Sequence, residues 1–171
     1  MELKDITNYA SKSTIKPELN AIFVKHIEGG IVYVATDSFR LVEVTCLDES
    51  IQGLMREGFY TLPQWKLLVK ATKGKKIDYA MIKMIGSSVD PLAESTYPEY
   101  QTLYKGMELV TANFTDQKYN AQYFSEFLTL IPTDKFNNFN FADLKQIKDK
   151  NNSVLIYKDE TITILLMPCN N

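Results

Sequence analysis

The feature that most limits the fold is the order in which hydrophobic period changes along the 171 residues. Three times, a short stretch with helical spacing and helix punctuation gives way to stretches that alternate like strands. In the first pass, Leu3 to Ser11 predicts a short helix, stopped by Pro17. After it, "LNAIFVKHIEGGIVYVATDSFRLVEVTC" predicts strands turned at Gly29-Gly30. In the second, "FYTLPQWKLLVKATKGKK" places Pro63 at a helix start and Gly74 at its end, and "IDYAMIKMIG" alternates as a strand. In the third, "KYNAQYFSEFLTLIP" offers Asn120 as N-cap and Pro132 as stop. The stretches "FNNFNFADL", "NSVLIYKD" and "TITILLMPC" then predict strands.

A chain that is 45% hydrophobic and 12% aromatic can bury a proper core and is expected to be a soluble globular protein. No apolar run is long enough for a membrane span, and "MELKDITNYA" lacks the basic-then-apolar pattern of a signal peptide, so a cytoplasmic location is expected. Cys46 and Cys169 lie far apart, and there is no CxxC and a single histidine, His26. Neither a disulfide framework nor a zinc site is expected, and both cysteines are read as buried thiols. The formal net charge is -2, and the cations are nearly all lysine, with arginine only at Arg40 and Arg56. Overall acidity argues against indiscriminate coating of nucleic acid but leaves room for a local basic face.

The second helix offers such a face. At about 100° per residue, Lys66, Lys70 and Lys73 fall on one side and Leu67, Leu68 and Ala71 on the opposite arc, with Lys75 and Lys76 extending the cluster. An ordinary solvated surface and a phosphate-facing surface both produce this pattern. The third helix is expected to bury Tyr123, Phe124, Phe127, Leu128 and Ile131 and to turn Gln122, Ser125, Glu126 and Thr129 outward, so it has no basic face. Catalytic signals are weak. His26 has no Ser or Cys nucleophile near it in sequence, and Gly29-Gly30 and Gly74 lack the surroundings of a phosphate loop, so no enzyme, metal or cofactor is expected.

One stretch resists the strand pattern: Thr36-Asp37-Ser38-Phe39-Arg40 sets a polar knot between two apolar runs. "VATDSFRL" resembles the "ATDxxRL" signature of the bacterial sliding clamp, the β subunit of DNA polymerase III, and "KPELNAIFV" upstream is similar to that family's "RPxLxGV". "STYPEYQTL" resembles the "xxFPDY" that closes a clamp domain. "QKYNAQYFSEFL" looks like the helix start of the last half-domain, and "ITILLMPCN" resembles the terminal "YVxMPMRL". The resemblance implies an α+β DNA-clamp fold with antiparallel sheets outside, short helices on one face and repeated half-domain units. It divides the chain into a complete clamp-like domain over residues 1–105 and an additional half-unit over 106–171, a clamp cut to its pocket.

The function implied is that of a DNA sliding clamp or clamp-like processivity factor, without catalytic activity. Its partners would be double-stranded DNA, held without sequence preference, and DNA polymerase and other proteins carrying short clamp-binding motifs. Lys66, Lys70 and Lys73 would face the DNA. The peptide pocket carried over from the resemblance comprises Leu19, Thr36, Ser38, Phe39, Arg40, Leu41, Pro98, Leu103, Leu165 and Met167, with Asp37 and Arg40 tying the turn beside it. Ser38-Phe39 replaces the usual Gly-His, Thr102 stands where many relatives carry a basic residue, and Cys169-Asn170-Asn171 replaces Met-Arg-Leu. Clamp rings contain about twelve half-units, so three per chain imply a homo-oligomeric ring of about four copies joined head to tail. Two alternatives are a standalone adaptor that binds the same peptides without encircling DNA, and an enzyme built on His26.

Overall fold

Apolar runs in the sequence become largely buried strands in the computed structural model, which describes residues 2–13, 15–74, 76–89, 97, 99–112, 118–132, 144–147 and 154–169. Strands β1 (Ala21–Ile27), β2 (Gly30–Thr36) and β3 (Arg40–Cys46) are followed by α1 (Glu49–Gln52), β4 (Gly58–Thr61), α2 (Leu62–Thr72) and α3 (Tyr79–Ser87). Later come β5 (Leu109–Thr111), α4 (Ala121–Thr129), β6 (Lys145–Ile147), β7 (Leu155–Lys158) and β8 (Ile162–Leu166). The chain divides into two packing units, Met1–Ser38 with Val42–Tyr97, and Phe39–Leu41 with Pro98–Asn171.

In the first unit the strand order is β4-β1-β2-β3. β1 runs antiparallel to β2, pairing Val24 with Tyr33, and to β4, pairing Phe23 with Phe59. The β1–β2 turn uses Gly29 at φ +76°, a conformation that costs a residue with a Cβ about 1–2 kcal/mol. Ile22, Val24, Ile31, Tyr33 and Tyr60 bury one face of this sheet, and Trp65 and Leu68 of α2 are buried with them. The Trp65 ring lies 4.7 Å from Tyr33 and 6.1 Å, edge-on, from Tyr60. On the other face Tyr97 stacks on Phe23 at 4.9 Å.

Leu3 to Ser11 does not form the expected helix. It contains only the 3-10 turn Thr7–Tyr9, because the preceding residues spend their backbone groups on the core. Leu3 N–H donates to Thr72 Oγ1 at 3.0 Å, Lys4 N–H to the Tyr33 hydroxyl at 2.9 Å, and Trp65 Nε1–H to the Lys4 carbonyl at 3.1 Å. An extended strap thereby ties α2 to β2. Pro17, expected only as a stop, opens a second short turn, Pro17–Leu19.

The larger correction concerns "IDYAMIKMIG", which is helix and not strand. Asp78 caps it by accepting the Met81 N–H at 3.0 Å, and Ile82, Ile85 and Gly86 are the buried side. Ile82 and Ile85, three residues apart, share one face of a helix but would fall on opposite faces of a strand. What decides is packing: a Cβ at Gly86 would stand 2.2 Å from the Leu54 carbonyl oxygen, so α3 reaches the Leu54–Met55 backbone only through this glycine.

In the second unit the order is β8-β7-β6-β5, with each pair antiparallel. "NSVLIYKD" and "TITILLMPC" contain β7 and β8 as expected, whereas residues 136–143 of "FNNFNFADL" lie outside the described residues. Asn120 caps α4 by accepting the Tyr123 N–H at 3.1 Å. The Met167 N–H donates to the Phe39 carbonyl at 2.8 Å, so the start of β3 lies alongside the end of β8. Among the described residues no helix is long and apolar enough to cross a membrane.

Gly86→Ala is expected to destabilise the protein by about 1–3 kcal/mol, the range for overpacking a filled site, read from the urea midpoint. A control Ala80→Gly, on the exposed side of α3, should lose no more than about 1 kcal/mol.

Candidate functional site

The first candidate surface is the solvent side of α2. Its start is set by a capping box in which Thr61 and Gln64 satisfy each other's backbone, with Pro63 in the first turn. Trp65, Leu68, Ala71 and Thr72 form its buried side, so Lys66, Lys70 and Lys73 point the opposite way and all three are exposed. Leu67, expected on the apolar arc, is instead 45% exposed, since it sits on the flank between the two sides. Lys76 and Lys83 are also exposed, and Lys75 lies outside the described residues. Residues 58–89 hold six lysines and one acid, Asp78, and the rest of the chain holds 13 cations against 20 acids. Positive charge is thus concentrated on one helical segment of an otherwise acidic chain.

The second candidate region is the turn between β2 and β3. Ser38 adopts φ +77°, so the left-handed backbone persists although glycine is absent, and its N–H donates to Thr36 Oγ1 at 3.2 Å. Of the expected pocket residues in the first unit, Leu19 is buried, Thr36 half-buried and Ser38 exposed. In the second unit Phe39 is 61% exposed and Leu103, in the 3-10 turn Tyr100–Leu103, is 40% exposed. Met167 is half-buried, whereas Leu41 and Leu165 are buried in the core and Pro98 lies outside the described residues.

Arg40 is only 7% exposed, and its guanidinium forms an ion pair with Glu126 of α4 and lies 4.0 Å from the centre of the Tyr123 ring. Gln122 Nε2 donates to the other carboxylate oxygen of Glu126 at 3.0 Å. The helix face expected to point outward therefore supplies a counter-charge 86 residues away in sequence. Of its expected apolar side, Phe127 and Ile131 are buried, but Tyr123, Phe124 and Leu128 are half-exposed. Asp37, three residues before the arginine, marks the turn in the sequence, whereas no local pattern links Glu126 and Tyr123 to it.

His26, on β1, is half-buried. Its main-chain N–H donates to a Glu57 carboxylate oxygen at 2.6 Å, and its ring Nε2 lies 2.8 Å from the Met55 carbonyl oxygen. The histidine thus ties a strand to the chain before β4. Cys46 is buried as expected, and burial pushes its thiol up to about 11, but Cys169 is exposed. Among the described residues no group of three or more His, Cys, Asp or Glu side chains could hold a metal ion.

No protein-family model matches the sequence, and no curated protein matches it. Solved structures do share its fold. The chain is similar to DNA polymerase III subunit beta from Borrelia burgdorferi, determined with a natural product, at 12% identity and a TM-score of 0.51, over 97% of this chain and 60% of that one. It is similar to the sliding clamp from Bartonella birtlesii, bound to griselimycin, at 12% identity and a TM-score of 0.50, over 98% of this chain and 62% of that one. For the beta subunit from Thermotoga maritima the values are 9%, 0.52, 98% and 62%. The fold is that of the bacterial sliding clamps, and the chain spans about 60% of the length of these proteins.

The Arg40–Glu126 pair makes a direct prediction. Glu126→Gln leaves a buried guanidinium without its carboxylate and should destabilise by about 2–4 kcal/mol, a little under the usual range for breaking a buried pair because Glu126 is partly exposed. Arg40→Met with Glu126→Leu should recover most of that loss. A urea double-mutant cycle with a coupling below about 0.5 kcal/mol would show that the two groups act independently.

Proposed function

We propose that this chain is a DNA sliding clamp or clamp-like processivity factor, which holds double-stranded DNA without reading its sequence and tethers replication or repair proteins through short peptide motifs. The observation that carries the reading is the exposed lysine side of α2 in a chain with the clamp fold, acidic outside residues 58–89. Lysines projecting from a helix neutralise phosphates by charge alone, which gives affinity without sequence preference. Nothing in this chemistry needs a catalytic group.

β4 and β5 each close one end of a strand order and are the edges where further copies would add. On the expected count of three half-units per chain, with residues 1–105 as a complete domain and 106–171 as an added half-unit, a ring would hold about four copies.

Replacing Lys66, Lys70 and Lys73 together by Glu should lower duplex affinity at least tenfold at low salt. It should also reduce the slope of log affinity against log salt by up to about 3, close to one unit per phosphate contact, with the urea midpoint unchanged. Equal slopes for variant and wild type would exclude this face as the DNA contact and favour the adaptor reading.

Peptide recognition is assigned to Leu19, Thr36, Ser38, Phe39, Arg40, Leu41, Pro98, Leu103, Leu165 and Met167. Support comes from the apolar surface that Phe39 and Leu103 offer to solvent, together with a half-buried methionine, whose flexible thioether suits adaptable contacts. A glutamine-leucine-x-leucine-phenylalanine type peptide should bind at about micromolar strength, near -8 kcal/mol. By calorimetric titration, Phe39→Ala and Met167→Ala should each cost about 1–2 kcal/mol, and Lys66→Ala should have little effect. Leu41 and Leu165 are unsuitable probes because their truncation would open the core. Peptide binding unaffected by both variants would place the site elsewhere.

A further inference from the structure

The two helices of residues 58–89 form an antiparallel pair whose register is fixed at both ends. The Asp78 N–H donates to the Ala71 carbonyl at 2.8 Å, and Gln64 Nε2 donates to Ser88 Oγ at 3.3 Å. Pairing 71 with 78 and 64 with 88 brings Leu67 level with Met84. At about 100° per residue, Leu67 lies between the buried side of α2 and its lysine side, on the flank turned to α3. By the same spacing Met84 lies on the solvent side of α3, with Lys83 and away from the buried Ile82, Ile85 and Gly86. Both are open to solvent, Leu67 at 45% and Met84 at 66%. At this level the solvent lip of the helix pair therefore presents two exposed apolar side chains, with Lys66 and Lys70 near one on α2 and Lys83 near the other on α3.

We propose that the Leu67–Met84 lip is a contact for unpaired nucleotide bases, so that this face grips single-stranded or partly unpaired nucleic acid more tightly than continuous duplex. The proposal rests on the reading that the lysine face meets nucleic acid. Flanking cations select a polyanion, and an apolar centre selects one with accessible apolar surface. In duplex the base faces are stacked against one another and only edges, sugars and phosphates meet a convex helix pair, so Leu67 and Met84 gain little. Unpaired bases present their faces, and an exposed leucine and a polarisable methionine at one level offer them apolar contact that does not depend on which base is present. This term differs from the phosphate term in one measurable respect: burial of apolar surface does not weaken as salt is added.

Fluorescence anisotropy with a 20-nucleotide oligo-dT and a 20-base-pair duplex, across a salt series, tests it. Wild type is expected to hold oligo-dT more tightly than duplex, with the ratio growing as salt rises. Leu67→Ser with Met84→Ser should weaken oligo-dT binding about tenfold and duplex binding less than twofold, leaving both salt slopes unchanged. Leu67→Met with Met84→Leu should restore the oligo-dT affinity. Equal loss on both probes, or no loss on either, overturns the proposal. If the Lys66, Lys70 and Lys73 charge reversal leaves both probes bound as before, the nucleic-acid reading of the face falls. If that reversal weakens both but the serine variant behaves like wild type, only the lip assignment falls. Polyglutamate that binds as tightly as oligo-dT at equal ionic strength, and loses affinity in the serine variant, would identify an acidic peptide as the occupant and overturn the assignment to bases.

Discussion

A guanidinium almost wholly withdrawn from water at the first residue of a strand must be neutralised within the protein, and for Arg40 that need is met from α4. Leaving such a charge unpaired costs several kcal/mol, so α4 cannot drift from the start of β3 without a large penalty. Tyr123 and Glu126, one helical turn apart, hold the guanidinium from its face and its edge, and Gln122 steadies the carboxylate. The Met167 N–H adds a main-chain bond to Phe39, so this exposed aromatic residue has a fixed backbone. Exposed apolar side chains on a fixed backbone bind with less entropy loss than mobile ones, which is why Phe39 matters to the peptide reading.

The first unit depends on a comparable saturation of polar groups around an aromatic core. Lys4 sends its N–H to Tyr33 and its carbonyl to Trp65, and Thr72 accepts from Leu3, so the strap is held by the same side chains that pack α2 onto the sheet. Burial pushes the Tyr33 hydroxyl well above its usual range, so it stays protonated across the working pH of proteins. With Trp65, Leu68, Ala71 and Thr72 committed to the core, the lysines have only the solvent side available.

Two errors of expectation have one physical origin. Residues 3–11 and 77–86 are too short for periodicity to choose among helix, strand and extended strap, so contacts distant in sequence choose instead. For the first, the side-chain hydroxyls of Thr72 and Tyr33 and the indole N–H of Trp65 take up the backbone groups of Leu3 and Lys4 and pull the chain out straight. For the second, Asp78 supplies a cap and Gly86 allows close approach to Leu54, and both features favour helix. The change from strand to helix matters functionally, since it creates the α2–α3 lip and brings Lys83 onto the same segment as the α2 lysines.

What the residue order determined by itself is whatever depends on neighbours within a few positions. The caps at Thr61 and Asn120, the turn at Gly29, the placing of β1, β2, β3, β7 and β8, and the one-sided lysines of α2 all follow from local spacing and backbone preference. The polar knot at Thr36 to Arg40 was legible too, and the clamp fold it suggested is the fold observed. Only the tertiary structure decided that Arg40 pairs with Glu126, that Leu67 faces solvent, that Cys169 is exposed, and that α3 is a helix. These depend on which surfaces meet across tens of residues. A single sequence does not encode those distances in any local pattern, because a side chain's burial and its partners are set by the neighbour that covers it.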